Sequence, residues 1–232
     1  MASVRRFRIV KRLSELVRGY QKTVAKTDSE ADLSDFTALA EYKLLRYEPV
    51  SPQELARRTK FSWHEIQILY RRFKQISPLG YMTKRQLQDG LAKIFPHGNC
   101  DAYAGMLFDA IDNNKNGQIS FQEIVFALSS VARGDRLERL EWAYRIYDPN
   151  NVGYVTRKRM RAVVSAVSSM LSEEFAPHTE EYDTSVHARD VFEKLDVDAD
   201  GIVSKADFLA CCTTDEAITR SLAVFEYQMA SH

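Results

Sequence analysis

Thiols, long apolar runs and net charge are all scarce in this chain, and each absence excludes something. Only Cys100, Cys211 and Cys212 are present. Cys211 and Cys212 are neighbours that can hardly staple a fold, and no Cys/His cluster has zinc spacing. No Asn-x-Ser/Thr acceptor occurs. These features lead us to expect a reduced, intracellular, cytoplasmic chain. No apolar run approaches the ~18 residues that a membrane-spanning helix needs. The first residues contain no uninterrupted apolar core of signal-peptide type. Ala2 follows Met1 where N-myristoylation needs glycine. Lys plus Arg number 32, as do Asp plus Glu, so no global charge drives the chain onto nucleic acid or membrane. Catalytic constellations are missing too. His64, His97, His178, His187 and His232 are scattered, with no evident nucleophile–base motif. There is no phosphate-cradling glycine run. The expectation is a protein that is not an enzyme.

What is present is apolar mass: 45% of 232 residues are hydrophobic, enough to bury one or two sizeable cores. Charge is uneven locally. Residues 1–26 hold eight basic side chains against Glu15 alone, and residues 27–54 hold seven acids against Lys43 and Arg46. Val4, Phe7, Val10, Leu13, Leu16, Val17 and Tyr20 fall on one helical stripe, with most of the basic residues elsewhere. A second short amphipathic stretch covers residues 38–47 and ends before Pro49 and Pro52. We therefore expect residues 1–55 to be a segment appended to a neutral body.

From Ser62 onward one pattern recurs. An apolar-periodic helix leads into a loop with glycine at its sixth position, then an apolar residue at its eighth, then another helix. The loops begin at Gln75, Asp112, Asp148 and Asp196, with gaps of 37, 36 and 48 residues. The longest gap holds the polar stretch 172–185 with Pro177. A repeat of this length is the dominant feature of the chain.

The second loop, DNNKNGQISFQE, reads as coordination chemistry. Calcium takes six to eight hard oxygens, which a twelve-residue loop supplies from positions 1, 3, 5, 7, 9 and 12, with glycine at 6 for a sharp turn. Asp112, Asn114 and Asn116 supply side-chain oxygens, Gln118 a backbone carbonyl, Ser120 position 9 and Glu123 position 12. The fourth loop, DVDADGIVSKAD, supplies Asp196, Asp198, Asp200, the Ile202 carbonyl, Ser204 and Asp207. Asp207 is one methylene shorter than Glu, and fewer ligands favour six-coordinate magnesium. This loop is expected to bind calcium weakly or to rest with Mg2+. In the third loop Val152 offers no oxygen at position 5, and Arg159 places a permanent positive charge at position 12. In the first loop there is no carboxylate, and Pro78 stiffens the turn. Both are expected to be metal-free structural partners, pairing Met82 with Ile119 and Val155 with Val203 in short β-bridges.

The fold expected is all-α, of the EF-hand superfamily: four helix–loop–helix units in two paired lobes, with short β-bridges between loops. One lobe spans residues 56–132 and the other 133–232, each joining a silent hand to an active one.

Residues 56–229, about three quarters of the chain, resemble the neuronal calcium sensor family, and within it the Kv-channel-interacting branch. The matching features are Phe73-Lys74 leading into a proline- and glycine-bearing first loop, and Phe95-Pro96-His97-Gly98. Arg133-Gly134, Glu141-Trp142, Tyr147-Asp148 and Arg220-Ser221-Leu222 with Phe225 complete them. The resemblance implies a calcium-responsive adaptor whose apolar groove takes a target's amphipathic helix. The implied target is the cytoplasmic N-terminus of an A-type voltage-gated potassium channel. By position, Leu69, Phe73, Leu91, Phe95, Ile124 and Leu128 are the groove candidates, and the same helical spacing also serves ordinary lobe core. Ile218, Leu222, Phe225 and Met229 form a last stripe, either a plug for that groove or a packed final helix. The disabled third hand departs from the family pattern. Peripheral membrane contact through residues 4–20 is a further expectation, and specific nucleic acid binding is not expected. The alternatives carried forward are a calcium buffer and a constitutive adaptor of another membrane target.

Overall fold

The computed structural model describes residues 50–171 and 184–215. The expected stripes at 4–20, 38–47 and 218–229 lie outside these residues, as does 172–183. Nine helices and two short ribbons are present among the described residues. Helix α1 (Pro52–Arg58) precedes the first hand, formed by α2 (Trp63–Ile76), β1 (Tyr81–Met82) and α3 (Lys84–Ile94). The second hand is α4 (Asp101–Ile111), β2 (Ile119–Ser120) and α5 (Phe121–Arg133). The third is α6 (Arg136–Tyr147), β3 (Tyr154–Thr156) and α7 (Arg157–Leu171). The fourth is α8 (Thr184–Leu195), β4 (Ile202–Ser204) and α9 (Lys205–Thr214). No described helix is long and apolar enough to cross a membrane.

The helices start where polar chemistry dictates. Ser62 with Glu65, Thr83 with Gln86, Ser120 with Glu123 and Asp135 with Glu138 form reciprocal capping boxes at α2, α3, α5 and α6. Each satisfies two backbone N–H groups that the first helical turn leaves free. Both ribbons are antiparallel, with Met82 opposite Ile119 and Val155 opposite Val203. The hands therefore pair first with second and third with fourth, as the apolar eighth positions predict. All four bridge residues are buried.

Helix α1 is part of the body. Leu55, Phe61, Ile66 and Val125 form a buried cluster flanked by Leu69, Phe126 and Leu128. The boundary expected between residues 55 and 56 falls inside this helix. Arg133 fastens the segment after α1: its guanidinium donates to the Lys60 carbonyl and to the Glu65 carboxylate, and stacks over Phe61 with Cζ 4.6 Å from the ring centre. Burial opposes ionisation of Glu65. The hydrogen bonds from Arg133 and Ser62 more than offset it, so the carboxyl titrates below its ordinary value.

A single larger core runs through both pairs of hands, from Phe73 and Leu91 through Tyr103 and Trp142 to Phe192 and Phe208. The turn before α4 docks on the end of α7, where the Asn99 amide donates to the Ser169 carbonyl at 2.9 Å.

Candidate metal centre

Each loop hangs between an incoming helix and a capped outgoing one, and its backbone form decides whether oxygens converge. Gly80, Gly117, Gly153 and Gly201, the sixth residues, all have positive φ, from 78° to 94°. That region suits glycine, which has no Cβ to clash. The fourth residues of the last three loops, Lys115, Asn151 and Ala199, are also left-handed, with φ of 56°, 53° and 56°. In the first loop the fourth residue is Pro78, whose ring holds φ near −65°. The first loop therefore cannot take the backbone form that the other three share.

In the second loop the buried Asp112 carboxylate is the hub. Its Oδ1 accepts the Asn116 amide at 3.2 Å and its Oδ2 the Gly117 amide at 2.9 Å. Asn114 Oδ1 accepts the Asn116 amide at 3.0 Å, and Asn116 Oδ1 accepts the Gln118 amide at 2.8 Å. These turns hold the side-chain oxygens of positions 1, 3 and 5 against amides of their own loop. Glu123 is buried as well and crosses the loop. Its Oε1 accepts the Asn113 amide at 3.0 Å, while its Oε2 accepts the Ser120 amide and hydroxyl at 2.9 and 2.8 Å. One carboxylate thus ties the start of α5 to the residues just past α4.

The fourth loop gathers more negative charge. Ligand oxygens of Asp196, Asp198 and Asp200 lie within 4.8 Å of one another. Asp196 Oδ2 accepts the Gly201 amide at 3.2 Å, but the buried Oδ1 has no hydrogen-bond partner among the described residues. A buried carboxylate oxygen left bare is costly, and a hard divalent cation is the partner that three converging carboxylates fit. Asp207 does not join them. Its Oδ2 accepts the Ser204 hydroxyl at 2.5 Å, and among the described residues it makes no bond across the loop. Glu123, one methylene longer, makes such a crossing bond in the second loop. From the paired hand, Arg157 Nη2 stands 3.6 Å from Asp196 Oδ2.

In the third loop Asp148 is caged like Asp112, accepting the Val152 and Gly153 amides at 2.8 and 2.7 Å. Val152, at position 5, points outward and is 60% exposed. Arg159 turns back to donate from Nη2 to the Ile146 carbonyl at 2.6 Å and from Nε to the Tyr147 carbonyl at 3.2 Å. Burial lowers its pKa below the usual guanidinium value, and the Asp109 and Asp148 carboxylates oppose that shift. In the first loop Gln86 does similar work: Oε1 accepts the Thr83 amide at 2.8 Å, and Nε2 donates to the Ile76 carbonyl at 2.9 Å. The sequence reading identified these two loops as poor in ligands. It missed that their twelfth residues brace them by donating to carbonyls. It also missed Arg157, which the register of β3 against β4 would have placed beside the fourth loop.

Of the six groove candidates, Phe73, Leu91 and Phe95 are buried in the large core. Leu69 and Leu128 are half-buried against the α1 cluster, and Ile124 is half-buried against the large core.

Comparison with known families agrees with this geometry. A family model described as an EF-hand domain pair matches residues 137–213, and one described as an EF hand matches residues 107–126. The matched segments include the loops at Asp112, Asp148 and Asp196. The chain carries EF-hand domains on an all-α EF-hand fold, and both models describe EF-hands at large rather than any one branch.

Proposed function

We propose that this chain is a calcium sensor that acts as an adaptor, with the second hand as its principal switch. The observation that carries the reading is the position of Glu123: its carboxylate spans the loop and caps α5 at the same time. Asp112, Asn114, Asn116, the Gln118 carbonyl and Glu123 would hold the ion, and Asp196, Asp198, Asp200 and the Ile202 carbonyl would hold a second, with Asp207 set back. When bound, calcium supplies a compact divalent charge that competes for Glu123 and the Asp112 oxygens. Glu123 then has to change partners, and any change in its position moves the first turn of α5. The apolar face of α5 lies at the seam between the two clusters: Ile124 is half-buried against the large core, and Leu128, like Leu69 of α2, is half-buried against the α1 cluster. We propose this seam as the place where an amphipathic target helix docks.

The finer reading, a regulatory subunit of an A-type voltage-gated potassium channel, is supported by the resemblance of residues 56–229 to the Kv-channel-interacting branch. A second reading is a calcium buffer, favoured by one feature of the fourth hand: Asp207 does not reach across its loop, so occupancy there need not move α9.

Calorimetric titration with calcium, repeated in millimolar magnesium, tests the sensor reading. A sensor site is expected at Kd of roughly 10⁻⁷–10⁻⁵ M. Calcium should raise binding of an apolar dye and of a channel N-terminal peptide, and Glu123→Gln should abolish both responses. Calcium uptake with no dye response would establish the buffer. Peptide binding of equal strength with and without calcium would establish the constitutive adaptor.

A further inference from the structure

We propose that Arg157, a residue of the metal-poor third hand, sets the cation affinity of the fourth hand by pairing with Asp196 whenever no ion is bound. The proposal rests on the reading of the Asp196 loop as a cation site. The β3–β4 register sets Thr156 opposite Ile202, so the next residue, Arg157, opens α7 at the rim of the fourth loop. Its guanidinium meets one face of the end of α8. Nη2 lies 3.6 Å from Asp196 Oδ2, Nη1 lies 3.8 Å from Glu193 Oε1, and Cζ sits 4.8 Å from the Phe192 ring centre. A cation is also favourable there because the last turn of a helix presents unpaired carbonyls.

The two partners differ in freedom. The Asp196 side chain is 2% exposed and held by the Gly201 amide, whereas the Arg157 side chain is 53% exposed. The anion is fixed and the guanidinium is free to leave. With the loop empty, Arg157 compensates a cluster of three carboxylates. With a divalent ion among those carboxylates, the same positive charge is a few ångströms from like charge and repels it. Arg157 thus acts as a resident competitor.

The first pair of hands lacks this device. The residue at the corresponding place is Lys84, and its Nζ lies over Gly105 in the middle of α4: a Cβ built at Gly105 would stand 2.9 Å from it. Among the described residues no ion pair reaches Asp112, whose oxygens face loop amides. Calcium therefore fills the Asp112 loop first and the Asp196 loop second, and the second step is weakened by an arginine that the paired silent hand contributes.

The test uses the full chain carrying Glu123→Gln, which leaves the fourth hand as the single calcium site in calorimetry. Adding Arg157→Gln should tighten that site by roughly threefold to tenfold at low salt, and Arg157→Lys should stay near the parent value. The gain should shrink as KCl rises from about 0.05 to about 0.5 M, since the competing charge is exposed to screening ions. Melting in EDTA gives a readout that needs no metal. Arg157→Gln should lower the apo midpoint by removing the partner of the carboxylate cluster, and should leave the calcium-saturated midpoint unchanged. Intact binding with an affinity unchanged or weakened by Arg157→Gln would overturn the proposal. Absence of any binding in both Glu123→Gln and Glu123→Gln/Arg157→Gln would instead remove the cation reading of the loop itself.

Discussion

In all four loops the twelfth residue is also the third residue of the outgoing helix, so one side chain stands where it can serve both the loop and the start of the helix. Gln86 and Arg159 close their loops by donating N–H to carbonyls at the end of the incoming helix. Glu123 closes its loop by accepting amides, and Asp207 stays on its own side with Ser204. Donors make a permanent brace, because nothing an arriving cation offers can displace them. An acceptor can be recruited by the ion. The chemical type of each twelfth residue was legible in the sequence, including the short reach of Asp207. The direction each side chain turns was not, since it depends on where the incoming helix ends. Asp207→Glu restores the reach seen at Glu123. It should tighten calcium binding at the fourth hand by about tenfold, or about 1.4 kcal/mol, and should weaken any advantage of magnesium. Competition calorimetry with Mg2+ measures both. An unchanged calcium affinity would mean that the position of α9, rather than side-chain length, keeps the twelfth residue away.

The loops as elements fall into two kinds that the ligand count alone does not separate. The third loop keeps the whole backbone form of a binding loop. Asn151 and Gly153 are left-handed and Asp148 is caged by loop amides, so it has lost side chains and not shape. The first loop has lost the shape, because Pro78 stands where its counterparts have φ near +55°. Restoring ligands should therefore have opposite outcomes. Val152→Asp with Arg159→Glu should give the third hand a new calcium site and raise the calorimetric stoichiometry by one. The matching set in the first loop, Gln75→Asp, Ser77→Asp, Leu79→Asp and Gln86→Glu, should add none until Pro78→Gly is included. A site in the first loop with Pro78 still present would show that the turn does not need its left-handed fourth residue. The sequence marked both loops as silent on ligand grounds, and Pro78 was visible as a stiffener. That the third loop keeps an intact scaffold follows from the strand register, which the apolar eighth positions signal, and from the Asp148 cage, which has no signature in residue type.

At the scale of the whole molecule the two pairs of hands share one core, which the repeat pattern did not reveal. Helical periodicity identifies the inward face of each helix but not which other helices complete the layer. At the Gly98–Asn99 turn the backbone of the first pair of hands lies directly against the backbone of the second. The Asn99 amide is satisfied by the Ser169 carbonyl, and a Cβ built on Gly98 would stand 1.7 Å from the Met170 carbonyl oxygen. Backbone on both sides leaves no flexible side chain to yield, so even one methyl group must push the turn away from α7. Gly98→Ala should therefore cost roughly 1–3 kcal/mol, the range for overpacking a close-fitted site. For a chain of this size that is a fall in Tm of roughly 3–10 °C. Because Tyr103, Trp142 and Phe192 belong to one buried cluster, the wild type in EDTA should melt in a single calorimetric transition, and Gly98→Ala should broaden or divide it. Two separate transitions in the wild type, or an unchanged midpoint in Gly98→Ala, would mean that the halves fold independently. Calcium taken up by the second hand would then have no packed route to the fourth.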